Sequence, residues 1–235
     1  MKYLSDFTWF ELNWHRPFAL DDVHLLLSRI SALTPRGYVA FEVRSLNSQV
    51  SYYVGFAAQY SGKMREVFQS TGDVEIVEIE QNKRKPMTVA RHLTVSKPIL
   101  SLNVDVAASV IRSGLAALSA TRTGEEAVVQ IVLGRGFPPS PVPHKLSDPH
   151  ESWLDKALYG LRDATADSVK SAKQKTEQFM FHTILRIGAS GRNAEGRIDQ
   201  ILSAFRVLQS AGVKCTQMKP SMASITLDFI PEEEK

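Results

Sequence analysis

One order of apolar periodicities occurs twice along this chain, and it limits the possible folds more than any other feature. Between Phe7 and Glu80 the pattern is strand, helix, strand, strand, helix, strand. Phe10, Leu12 and Trp14 alternate with Glu11 and Asn13, the period of a strand with one buried face. Val23, Leu26, Leu27, Ile30 and Leu33 then recur at helical spacing, led by Asp21 and Asp22, whose charge suits a helix N-terminus. Val39, Phe41 and Val43 alternate, as do Val50, Tyr52, Val54 and Phe56, with a turn at Ser45, Asn47 and Ser48 between them. A short helix through Met64, Val67 and Phe68 and a strand from Val74 to Ile79 close the set.

Beyond a polar, basic joint at Gln81 to Pro86 the order returns in stretched form. Val89 to Leu102 reads as one or two strands interrupted at Pro98. A helix follows from Val106 to Ala120, its face made by Ala108, Ile111, Leu115 and Leu118, and then a strand from Ala127 to Leu133. Five prolines between Phe137 and Pro149 (Pro138, Pro139, Pro141, Pro143 and Pro149) mark extended, semi-rigid chain. Glu151 to Gln178 reads as one or two polar helices. The core pattern resumes in the strand Phe179 to Ile187 and in a helix carrying Ile198, Ile201, Leu202, Phe205 and Leu208, stopped at Gly212. Lys214 to Phe229 reads as a hairpin around Pro220, with Ile225, Leu227 and Phe229 alternating. The expected fold is therefore α+β: two tandem ferredoxin-like (split βαβ) units over 1–82 and 83–235, the second interrupted by an insertion at 137–178.

With 235 residues and 43% hydrophobic content, the chain can bury a real core. The net charge of +3 suits solubility better than electrostatic capture of a polyanion. Cys215 is the sole cysteine, so no disulfide forms within the chain, which favours a reducing compartment. Neither a signal-peptide layout nor a run of about eighteen apolar residues is present, so a transmembrane segment is not expected.

The motifs that could carry chemistry are each incomplete. Gly191-Arg-Asn-Ala-Glu-Gly196-Arg197-Ile198 follows a strand and opens a helix, the context of a phosphate-binding loop. That loop needs Lys where Arg197 stands and a hydroxyl where Ile198 stands, so the stretch reads as a strand-to-helix turn. His144 and His150 lie in the proline-rich segment without the further ligands a structural zinc site requires. His182 shares a strand face with Met180, Ile184 and Arg186, and Cys215 reads as a half-buried, inert thiol. A serine-nucleophile elbow is missing. Catalytic, cofactor-binding and metal-binding residues are accordingly expected to be none, and the chain is not expected to be an enzyme.

Two surfaces remain as candidates for binding. Lys83, Arg84, Lys85 and Arg91 form the densest basic cluster, and Trp9, Tyr52 and Tyr53 could offer rings to bases, the basis of an alternative reading as a free-standing nucleic-acid-binding module. Trp153, Leu154, Leu158 and Leu161 give the insertion a short apolar stripe flanked by charge, suited to docking in a partner's groove.

Arg91-His-Leu-Thr-Val-Ser-Lys-Pro-Ile-Leu100, the following helix and Gly124-Glu-Glu-Ala-Val-Val-Gln-Ile-Val-Leu-Gly134 resemble the N-terminal region of conjugative DNA-transfer ATPases. These are type IV secretion proteins of Gram-positive, especially actinobacterial, bacteria, with a motor of the HerA/FtsK class. The resemblance runs on through the proline-rich insertion, Phe181-His-Thr-Ile-Leu-Arg-Ile-Gly-Ala189 and Leu202-Ser-Ala-Phe205, covering most of Thr8 to Phe229 as an order of elements. In that family the nucleotide-binding motifs belong to a motor domain downstream, and no position here matches one of them, so no catalytic residue carries over; the chain ending at Pro231-Glu-Glu-Glu-Lys reads either as an N-terminal portion of such a protein or as a module that exists alone. The resemblance implies an assembly or interaction module that positions or oligomerises the motor. Its expected partners are the motor domain, other secretion components and further copies of itself, and its expected location is cytoplasmic, at the inner face of the membrane.

Overall fold

A computed structural model describes residues 2–3, 7–15, 19–34, 37–72, 74–80, 84–96, 100–142, 146–177, 179–210, 213–218 and 229–230. Pro35, Lys83, Pro98, His144, Gln178, Gly212 and Pro220 lie outside these residues, as does the side chain of Trp153. In chain order the elements are β1 (Lys2–Tyr3), β2 (Phe7–Trp14), α1 (Leu20–Leu33), β3 (Val39–Leu46), β4 (Gln49–Ala57), α2 (Ser61–Thr71), β5 (Val74–Glu78), β6 (Val89–Val95), α3 (Ala107–Ser119), β7 (Glu126–Phe137), α4 (Trp153–Tyr159), α5 (Ala166–Thr176), β8 (Met180–Ser190), α6 (Ala194–Arg206), β9 (Cys215–Met218) and β10 (Phe229–Ile230).

Among the described residues the fold is α+β, with an eight-stranded open antiparallel sheet ordered β5-β2-β4-β3-β7-β8-β6-β9 and a separate pair β1-β10. Read from each edge toward the middle, both halves place their fourth strand outermost, then their first, third and second. The halves meet where β3 lies antiparallel to β7, in continuous register from Val39↔Leu133 to Leu46↔Glu126. Asn47 and Ser48, both with positive φ, form the two-residue turn that joins β3 to β4 with the twist a hairpin needs. None of the helices is long and apolar enough to cross a membrane, among the described residues.

All four sheet-covering helices sit on one face. Val39 and Phe41 pack in the cluster under α1 and α2 with Phe10, Leu26, Ile30, Phe56, Met64 and Phe68. Val43, two residues on and therefore on the same face of β3, packs in the cluster under α3 and α6 with Leu118, Ile187, Ile198 and Leu202. The inward face of α3 departs from expectation: Val110, Gly114 and Leu118 are buried, whereas Ile111 is 61% exposed. Docking against α6 turns the helix by about one residue relative to its apolar stripe, and leaves part of that stripe on the surface.

The opposite face of the sheet has its own apolar groups, Phe7, Trp9, Ala40, Ile79, Val132 and Ile184. The described residues on either side of the joint lie on this face, with Ile79 buried on one side and Met87 packed on Ala90 and Val128 on the other. Of the joint's own described residues, Arg84 packs on Trp9, while Lys85 and Pro86 are exposed. The sheet continues through β7 and β8, and the chain between them forms the insertion.

Candidate functional site

The insertion has an anchored part and a projecting part. Helix α5 begins at Thr165, whose hydroxyl accepts from the Ser168 N–H at 3.3 Å, an N-cap. It rests on the body through buried Ser168 and Ala172, and the Ser171 hydroxyl accepts from the Ser101 N–H at 3.0 Å. The stretch 146–164 stands off as an arm. Its neck is two-stranded: the Ala164 N–H donates to the Leu146 carbonyl at 2.8 Å and the Asp148 N–H to the Arg162 carbonyl at 2.9 Å, around a bridge between Ser147 and Asp163.

At its tip the arm carries α4. The Ser152 hydroxyl accepts from the Asp155 N–H at 3.1 Å and lies 2.7 Å from the Asp155 carboxylate, which starts the helix. Gly160, at φ 79°, ends it in a conformation that side-chain-bearing residues avoid. Leu154 is 52%, Leu158 71%, Tyr159 69% and Leu161 73% exposed. The three leucines that the sequence marks as a docking stripe are thus out in solvent. Tyr159, which belongs to no apolar repeat in the sequence, stands among them. An open cavity of about 770 Å³ lies where the arm meets the body, lined by residues 100–105, His150, one side of α5 from its cap Thr165 to Gln174, Gln209 and Ser210.

The basic cluster does not form one surface. Arg84 and Arg91 lie on opposite faces of the sheet, and Lys83 is outside the described residues. Arg91 makes a two-toothed contact with Glu195 of α6 at 2.9 and 2.6 Å. The Arg84 guanidinium stacks 3.5 Å from the centre of the Trp9 ring, and its Nε and Nη2 donate to the two carboxylate oxygens of Glu42 at 3.1 and 2.6 Å. Lys85 is exposed, while its carbonyl accepts from Arg44 at 3.2 Å. Trp9 is 1% exposed, so it has no ring face to give to a base. Tyr52 and Tyr53 are each partly buried against the apolar clusters on their respective faces.

The joint's Arg84 reaches a polar row running laterally across the sheet: Glu11, Tyr53, Glu42, Gln130, Arg186 and His92 are successive cross-strand partners. Glu42 is its centre. Besides Arg84 it accepts from Arg44 Nε and Gln130 Nε2, both at 2.7 Å, and Arg44 also reaches Glu126 at 2.7 Å. Burial alone would push the Glu42 carboxyl up; the Arg44 and Arg84 guanidiniums outweigh it and hold the group at about 2. At the end of the row, burial and the charge of Arg186 push His92 below its ordinary value. The network draws Glu42 and Arg44 from one half of the chain, Glu126 and Gln130 from the other, and Arg84 from the joint.

The loop that imitates a phosphate cradle is occupied with structural work. Gly191 sits at φ 106°, where a Cβ would approach Glu125 Cα at 3.0 Å. Arg197 is buried, and its guanidinium donates to the carbonyls of Ala117 and Ala120 at 3.3 and 2.7 Å and to Glu125 at 3.1 Å, closing the C-terminus of α3. Replacing Arg197 by Met is expected to lower unfolding free energy by about 1–3 kcal/mol, since terminal carbonyls and a carboxylate lose their donor. Urea titration of the two proteins checks it, and an unchanged midpoint would show that water caps α3 equally well.

His182 is exposed and His150 lines the arm's cavity. Burial pushes the thiol of partly exposed Cys215 up, which disfavours thiolate chemistry there. Among the described residues, no three His, Cys, Asp or Glu side chains converge. No family model, curated protein or solved structure matches the chain.

Proposed function

We propose that this chain is an assembly module: two ferredoxin-like units side by side in one sheet, with the arm of the second serving as a contact element for a larger machine. The unit assignment is supported by the strand order of each half, fourth-first-third-second, which is what a split βαβ arrangement produces. The functional reading is carried by one observation: the arm holds four apolar or aromatic side chains, Leu154, Leu158, Tyr159 and Leu161, more than half exposed. Such a cluster costs solubility unless a partner covers it. The resemblance to conjugative DNA-transfer ATPases gives that partner a chemical identity, a motor of the HerA/FtsK class. On this reading the module supplies contact surface to the motor, at the cytoplasmic side of a secretion channel.

The test is the double variant Leu158→Ser/Leu161→Ser, assayed for thermal unfolding and, by calorimetry, for binding to the motor polypeptide. Both leucines are more than 70% exposed, so stability is expected to move by no more than about 0.5 kcal/mol. Affinity for the motor is expected to fall by about tenfold or more, as when a hot-spot residue is removed. A collapse of the melting temperature with unchanged binding per folded molecule would make the arm part of the core and end the docking reading.

A further inference from the structure

A second apolar surface on the same chain is left uncovered, and it lies at one end of the α3–α6 pair. Val104 is 56%, Ile111 61% and Val207 54% exposed, with exposed Ala108 between the first two. Ala108 and Ile111 lie three apart on one side of α3, and Val104 stands in the short 3-10 turn that leads into the helix. The two α3 residues belong to the part of its apolar stripe that is left exposed. The Asn103 N–H donates to the Leu208 carbonyl at 3.0 Å, which brings the start of α3 beside the end of α6 and so Val207 beside the stripe. Arg112 and Arg206 flank it, both exposed. Asp105, the acidic residue of this turn, is also exposed and lines the cavity together with Val104.

The arm is the electrostatic counterpart. Residues 146–164 carry four carboxylates, Asp148, Glu151, Asp155 and Asp163, against two cations, Lys156 and Arg162. An apolar, acidic projection and an apolar, arginine-flanked surface thus stand on one chain, and the exposure of Leu154, Leu158 and Leu161 means that they do not cover each other within it. We propose that the arm of one copy docks on the α3–α6 end of a second copy, so that the chain self-associates through a heterologous, arm-to-surface contact. This rests on the reading of the arm as a docking element and gives the arm a second occupant, a neighbouring copy, which competes with the motor for the same leucines. Opposite charges at the rim orient such a contact and raise its association rate, while the buried leucines supply affinity. Two copies can exchange arms about a twofold axis, or successive copies can pass arms around a ring.

Complementation between two variants tests the idea. Leu158→Glu disables the arm and leaves the receiving surface intact; Ile111→Glu does the reverse. Both positions are exposed, so each variant should keep the wild-type melting temperature. In sedimentation from micromolar to submillimolar concentration, the wild type is expected to associate, more weakly as salt rises, and each variant alone to remain monomeric. An equimolar mixture of the two should recover association, because one intact arm then meets one intact surface. A wild type that is monomeric throughout, a variant that still associates, or a mixture that stays monomeric would each overturn the proposal. A lower melting temperature in both single variants at monomeric concentration would do so too, by placing the arm on its own chain. If self-association fails while Leu158→Ser/Leu161→Ser still weakens motor binding, the motor reading stands and the arm-to-surface contact between copies is wrong.

Discussion

Replacing Glu42 by Ala is expected to cost about 3–5 kcal/mol of unfolding free energy at neutral pH, the range for breaking a buried charge pair by removing one partner. The side chains of Arg44 and Arg84 are 5% and 7% exposed; Arg44 would keep Glu126, while Arg84 would lose the carboxylate that takes both its Nε and its Nη2. The cost should depend on pH in a definite direction. The carboxyl is lowered on folding from its ordinary 4.5 to about 2. Its contribution is therefore full above 4.5 and is lost as pH falls through that window toward 2. Chemical unfolding at pH 7 and at pH 3 should show the wild type and Glu42→Ala converging at the lower pH. A gap that is constant across the two would mean that the loss is one of packing rather than of charge. Glu42→Gln, which keeps the shape and one acceptor oxygen but sets an amide NH2 against donors that the carboxylate now accepts from, should fall between the two proteins at pH 7.

Trp9→Ala should be as damaging, by about 3–5 kcal/mol for deletion of a buried indole. Its ring is held between two neighbours. On one side is Gly55, its direct cross-strand partner, where a Cβ would fall 2.6 Å from the indole carbons. On the other is the Arg84 guanidinium at 3.5 Å. Because Arg84 touches both Trp9 and Glu42, the effects should not add. The double variant Trp9→Ala/Arg84→Ala is expected to cost less than the sum of the singles, as for residues sharing one network. Urea titrations of the four proteins in that cycle measure the coupling. Strict additivity would show that the stack and the ion pairs are independent.

Much of the architecture is legible in the sequence because alternation and helical spacing are local signals. The strands at Phe10 to Trp14 and Val39 to Val43 are read from period two alone, and the helix around Ile198 from its stripe. The α3 face shows where such reading fails. Of the expected face Leu115 and Leu118 do pack in the cluster, yet Val110 and Gly114 are buried in place of Ala108 and Ile111, and helix-to-helix packing leaves no trace in one helix's own periodicity. The charge network fails for a related reason. Glu42 and Arg44 occupy the polar positions of an alternating strand and read as a solvent face, but the joint brings Arg84 onto Glu42 and the Lys85 carbonyl onto Arg44. Burial of that kind is a long-range fact. Of the arm, the leucines are legible and the neck is not, because the pairing of 146–148 with 162–164 carries no apolar repeat.

The insertion joins β7 to β8, which are neighbours in the sheet and antiparallel. Topologically it is therefore an enlarged hairpin loop, even though it holds two helices and a projecting arm. The entropic cost of closing such a loop grows only with the logarithm of its length, about 0.6 kcal/mol for each doubling. The sheet is consequently almost indifferent to the length of the arm, as distinct from α5, which packs on the body. Residues of 146–164 can be gained, lost or exchanged at little thermodynamic consequence for the eight strands, which leaves the arm free to vary with whatever surface it meets.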